Sequence, residues 1–126
     1  MKILFFENSE ILYNIFKSKL NQEGFENIIV YEEIPNTSEK LIELILKENP
    51  DLIISEIIIN GMDGFTMVKI LKNDLRTRKY KIIAWTNLNN EKDRRMGLNS
   101  GFDEYWVHQN LSPEKFVERI KKVFNL

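Results

Sequence analysis

The stretch DLIISEIIINGMDGF, residues 51–65, starts as an almost unbroken apolar run, and within that run, Leu52 to Ile59, stands one carboxylate, Glu56. Leu52 to Ile58 lacks the alternation of a strand with one wet face. It therefore reads as a strand covered on both sides, the pattern of a parallel sheet. The NGMDG segment that follows is a turn of residues that tolerate positive φ, and Phe65 to Asn73 has helical spacing with Val68 and Leu71 inward. One strand, one turn and one helix make a βα unit.

The same unit recurs on either side. Ile3 to Phe6 is a second apolar run, followed by Ser9 as N-cap of a helix through about Gln22, on which Ile11, Leu12, Ile15, Phe16 and Leu20 recur at helical spacing. Gly24 can end that helix in the left-handed conformation. Ile28 to Tyr31 is a strand, and Thr37 or Ser38 caps a helix carrying Leu41, Ile42, Ile45 and Leu46 before Pro50 closes the connection. Beyond the opening stretch, Lys81 to Thr86 is a strand. Glu91 to Asn99 is a helix interrupted by Gly97, which costs about 1 kcal/mol relative to Ala if exposed, and Gly101 ends it. Tyr105 to Val107 is a short strand. The segment SPEKFVERIKKVF, residues 112–124, is the clearest helix, with Ser112 as N-cap, Pro113 at the first helical position and Phe116, Val117, Ile120, Val123 and Phe124 on one stripe.

Five βα units joined by right-handed crossovers imply an α/β fold, a doubly wound five-stranded parallel sheet with helices on both faces. A chain of 126 residues, 43% of them hydrophobic, suits a single domain. The absence of cysteine excludes a disulfide framework, a thiolate metal site and a thiol nucleophile, and suits a cytoplasmic setting. The N-terminal apolar run is far too short for a signal peptide or a membrane span. A formal net charge of −1 gives no basic excess for nucleic acid or anionic membrane, and the short basic tract RTRKYK, residues 76–81, reads as a solvated face.

In doubly wound folds, ligand-binding groups gather beyond the carboxyl ends of the strands. Glu7 and Asn8 follow the first strand, Glu56 lies late in the third, Thr86 ends the fourth and His108 follows the fifth. These polar residues coincide with the expected crevice.

With those residues in place, KILFFEN (2–8), NPDLIISEIIINGMDGF (49–65), IIAWTN (82–87) and GFDEYWVHQ (101–109) resemble, in order and spacing, the four motifs of a response-regulator receiver domain of two-component, phosphorelay signalling. The resemblance covers essentially the whole chain and implies the flavodoxin-like receiver fold, strand order 2-1-3-4-5. It implies an acidic pair at Glu7 and Asn8 that helps hold Mg²⁺, a phospho-acceptor position at Glu56, switch positions at Thr86 and Tyr105, and a Lys-equivalent position at His108 followed by Gln109 where Pro is usual. The family has Asp at the acceptor position, a second acidic residue at position 8 and Lys at position 108. An atypical, pseudo-receiver character follows. Glu, one methylene longer than Asp, would place a permanent carboxylate toward the space of the transferred phosphoryl group, a partial mimic with less charge than the roughly −1.5 to −2 of a phosphate.

Three functional classes are open at this point. The first is a stand-alone receiver without an output domain, not an enzyme, acting by protein–protein interaction through the face of the fourth helix, fifth strand and fifth helix, with a histidine kinase as a possible upstream partner. The second is a Mg²⁺-dependent phospho-accepting receiver that uses Glu56. The third is a metal site of Glu7, Glu56 and His108, a mixed carboxylate and imidazole set suited to a transition metal. No resident cofactor is expected, Glu7 and Glu56 being the only candidates for Mg²⁺. If His108 pairs with Glu56, its pKa is expected to be raised.

Overall fold

The computed structural model describes residues 1–126. In chain order its elements are β1 (Lys2–Phe6), α1 (Glu10–Gln22), β2 (Asn27–Tyr31), β3 (Glu33–Ile34), α2 (Ser38–Glu48), β4 (Leu52–Ser55), β5 (Asn60–Gly61), α3 (Gly64–Asn73), β6 (Ile82–Thr86), α4 (Glu91–Ser100), β7 (Glu104–Val107), a 3-10 turn at His108–Asn110, and α5 (Pro113–Val123). The main sheet is all parallel in the order β2-β1-β4-β6-β7. Counted by its five strands, this is the expected 2-1-3-4-5.

The strands read as continuous apolar runs because each alternates between two cores. Ile3, Phe5, Leu52, Ile54, Ile83 and Trp85 point to one face, where they meet Phe16 and Leu20 of α1 and Phe116, Val117 and Ile120 of α5. Leu4, Phe6, Ile53, Ile82 and Ala84 point to the other, against Leu41, Ile42 and Ile45 of α2 and Met67, Val68 and Leu71 of α3. Phe116 is the hub of the first core, its ring centroid 4.7 Å from those of Phe16 and Trp85 and 5.7 Å from that of Trp106. The caps fall where the sequence places them: the side chains of Ser9, Thr37 and Ser112 accept the N–H of Leu12, Lys40 and Lys115.

Two expectations are corrected and two features are new. The strand expected to reach Ile58 ends at Ser55: the Glu56 N–H makes the last ladder bond, 2.9 Å to Phe6 C=O, and the Ile57 C=O then turns to accept from Gly64 N–H. Glu56 therefore sits just past the strand, at the mouth of the crevice. A parallel pair, β3 with β5, was not expected; Gly61, at φ +82°, passes so close to the Ile34 carbonyl that a Cβ there would collide with it. On α1, Phe16 and Leu20 are buried but Ile11 and Ile15 are exposed, 78% and 47%. The buried stripe runs through Leu12, Phe16 and Leu20, four residues apart, and the two isoleucines precede it by one position, about 100° round the helix. Gly97, finally, is buried, so the cost of an exposed helical glycine does not apply: a Cβ there would stand 2.7 Å from Cδ2 of Tyr105.

The tract at 76–81 is tied into the fold. Arg76 binds Asp74 and reaches Glu39, Thr77 is buried with its hydroxyl donating to Leu71 C=O, and the Tyr80 hydroxyl donates to Asn49 Oδ1. No helix is long and apolar enough to cross a membrane.

Candidate functional site

The carboxyl ends of β1, β4, β6 and β7 open into a cleft of about 590 Å³ whose lining includes Glu7, Asn8, Glu56, Asn87, His108 and Gln109. Glu7 continues β1 by one bond, its N–H donating to Tyr31 C=O at 3.0 Å. Its side chain turns inward, 2% exposed, and Oε2 accepts the Ser9 N–H at 3.0 Å. Ser9 thus serves twice, capping α1 with its hydroxyl and fixing Glu7 with its amide. Asn8 between them is exposed.

Glu56 is anchored by its own backbone: Oε2 accepts the Ile57 N–H at 2.6 Å. Burial raises its pKa, and the Thr86 hydroxyl with the N–H groups of Ile57 and Ile58 opposes that rise. The carboxylate therefore faces Thr86. Thr86 is itself buried, and its Oγ1 accepts the Leu88 N–H at 3.2 Å while the Tyr105 hydroxyl donates to the Leu88 C=O at 2.7 Å. One residue, Leu88, thus links the two expected switch residues through its N–H and its C=O. Nothing in the sequence marks Leu88, because its role is played by backbone atoms.

His108 opens the 3-10 turn after β7, its ring tilted over Trp85 with centroids 4.4 Å apart. The expected pairing with Glu56 is not what forms. His108 Nε2 points at Glu7 Oε1, 3.9 Å away, and neither atom has a hydrogen-bond partner. Its pKa is lowered, not raised: burial disfavours the imidazolium, and a hydrogen bond with the Trp85 backbone offsets this only in part. Glu7 is pushed up to about 7, by burial first and with the Glu56 charge adding to it, against the Ser9 and Asn8 amides. The expectation failed because it took a paired charge for granted. In this closed corner desolvation outweighs attraction across 3.9 Å.

The structure thus brings together Glu7, Glu56 and His108, which offer donor atoms within 4.8 Å of one another. Thr86 and Tyr105 stand beside them, while Asn8 and Gln109 line the rim, exposed. Ile11 and Ile15, which no local signal assigns to this cleft, line it as well.

A family model described as the response regulator receiver domain matches residues 3–121. The chain belongs to the response regulator receiver domain family. This receiver is 30% identical over 122 residues to the phosphate regulon transcriptional regulatory protein PhoB of Klebsiella pneumoniae, an alignment covering 97% of the chain and 51% of PhoB. The chain spans about half the length of that curated relative. Its fold is shared with a putative response regulator from Chloroflexus aurantiacus, at TM-score 0.82 and 19% identity, covering 99% of this chain and 98% of that one. It is shared too with the receiver domain of a sensor histidine kinase from Pseudomonas aeruginosa, solved with a magnesium ion in its active site cleft, at TM-score 0.78 and 16% identity over 96% and 94% of the two chains.

Proposed function

We propose that this receiver is an atypical signalling module that is not phosphorylated by the Mg²⁺-dependent Asp mechanism and acts through protein–protein contact. The observation that carries this reading is Glu56. Its carboxylate is anchored on Ile57 N–H and faces Thr86, so a fixed anion occupies the side of the crevice where a phosphoryl group would be received. No lysine or arginine lines the cleft to neutralise added charge, and burial keeps His108 in its neutral form.

The Mg²⁺ that the family resemblance implies does not suit this donor set. Mg²⁺ demands near-ideal octahedral oxygen coordination and gives up its waters reluctantly. Here an imidazole nitrogen holds one inner position and an exposed, neutral Asn8 stands where a second acidic residue is usual.

The output follows from the Tyr105–Leu88–Thr86 link. Tyr105 lies on β7 with its ring against Gly97 of α4, so the state of the crevice is coupled to the face formed by α4, β7 and α5. That face is the partner-binding surface in this reading. A two-component kinase is its upstream partner class, and the module turns over no substrate of its own.

Incubation with acetyl phosphate and Mg²⁺ followed by intact mass tests the proposal. The wild-type chain gains no adduct, whereas the triple variant Asn8→Asp, Glu56→Asp and His108→Lys gains about 80 Da. An alkali-labile adduct of that mass on wild-type Glu56 would overturn it.

A further inference from the structure

Glu7 Oε1 and His108 Nε2 are the only buried side-chain polar atoms in the chain without a hydrogen-bond partner, and they face each other. The imidazole hydrogen-bonds the Trp85 backbone with its other nitrogen side, so Nε2 presents a lone pair. The carboxylate oxygen opposite presents lone pairs as well. Two such acceptors enclosed together call for a group between them that serves both, a water donating to each or a cation. At 3.9 Å they are too far apart to share a hydrogen bond. They come within a small inward shift of sharing an ion, since metal–ligand distances of about 2.0–2.2 Å put two ligands of one tetrahedral ion about 3.3–3.6 Å apart.

We propose that Glu7, Glu56 and His108 form a binding site for a divalent first-row transition ion of the Zn²⁺ class. The three donors lie within 4.8 Å, so the widest pair closes by at most about 1.5 Å, within the reach of side-chain torsions, to meet tetrahedral spacing. Each ligand is already oriented by a backbone group on its other polar atom: Glu7 Oε2 by Ser9 N–H, Glu56 Oε2 by Ile57 N–H, and the imidazole by Trp85. Such outer partners fix ligand direction in metal sites. Two carboxylates and a neutral imidazole balance a 2+ charge, and the cleft above them admits water to the remaining positions. The imidazole decides selectivity, because a nitrogen donor favours Zn²⁺, Ni²⁺ or Cu²⁺ over Mg²⁺. The ion would tie the ends of β1, β4 and β7 together.

This site does not depend on the signalling role proposed above, since it requires only the three side chains. The chain contains a single histidine and no cysteine, so its one imidazole reports on this site alone. The full chain, stripped with a chelator, is titrated with Zn²⁺ while the imidazole resonances are followed by NMR and the stoichiometry by calorimetry. One ion per chain and saturable movement of the imidazole signals are expected. Millimolar Mg²⁺ should leave those signals in place. Glu7→Gln and His108→Gln should each weaken Zn²⁺ binding by at least about tenfold. Imidazole signals that stay fixed under excess Zn²⁺ would overturn the proposal, as would a folded His108→Gln chain that binds the ion like wild type. The wild-type NMR titration decides the matter even if a variant does not fold.

Discussion

Replacing Gly97 by Ala sets local propensity against tertiary packing, with opposite signs. Inside a helix, Ala is favoured over Gly by about 1 kcal/mol, so α4 taken alone should gain from Gly97→Ala. In the folded chain the added Cβ stands 2.7 and 2.9 Å from Cδ2 and Cε2 of Tyr105. Ordinary carbon contacts are about 3.5–4.0 Å, so the ring must retreat by about 1 Å. It has little freedom to do so, being fixed at one end by β7 and at the other by its 2.7 Å bond to Leu88 C=O. Overpacking of this kind costs about 1–3 kcal/mol. A strained hydrogen bond to a carbonyl that water can reach adds about 0.5 kcal/mol. Set against the helical gain, the net is a destabilisation of about 0.5–2.5 kcal/mol. Urea unfolding should show a lower midpoint at unchanged slope. In a Tyr105→Ala background the obstruction is gone, and the same Gly97→Ala change should become stabilising by about 1 kcal/mol. A single variant as stable as wild type, or a double-mutant cycle without the reversal of sign, would refute the packing argument.

The remaining predictions concern the crevice and the core. Glu7 rises from 4.5 unfolded to about 7 folded, so its contribution to stability is complete below about pH 4.5 and is lost as pH rises through 7. At about 1.36 kcal/mol per unit the loss is bounded at about 3 kcal/mol. Glu56, also raised, acts in the same direction, while His108, lowered, acts in the opposite one. The difference between wild type and Glu7→Gln, measured by urea unfolding from pH 4 to 8 in EDTA, isolates Glu7. The variant should grow more stable relative to wild type as pH rises, and a constant difference would contradict the burial of this carboxylate. Phe116→Ala empties the hub where the rings of Phe5, Phe16, Trp85 and Trp106 meet and should cost about 3–5 kcal/mol, read as a fall in the thermal midpoint. A cost under about 1 kcal/mol would mean that the core collapses around the gap.

The apolar runs at 3–6 and 52–55, the caps Ser9, Thr37 and Ser112 and the Pro113 start of α5 were all legible in the chain, because strand period, helix period and capping depend on residues within about four positions of one another. Five such units leave little choice but a parallel, doubly wound sheet, and the ends of its strands then name Glu7, Asn8, Glu56, Thr86 and His108 as neighbours, Tyr105 being added by the family resemblance. What each of those residues does was decided elsewhere. Whether His108 faces Glu56 or Glu7 depends on a turn after β7 and on the ring of Trp85, 23 residues earlier in the chain. The exposure of Ile11 and Ile15 depends on where α5 leaves the surface of α1 uncovered, and the need for Gly97 on a tyrosine eight positions away on another element. Local sequence sets backbone geometry, but the sign of a charge's environment and the space left for a methyl group are set by atoms that only the packed chain brings within a few ångströms.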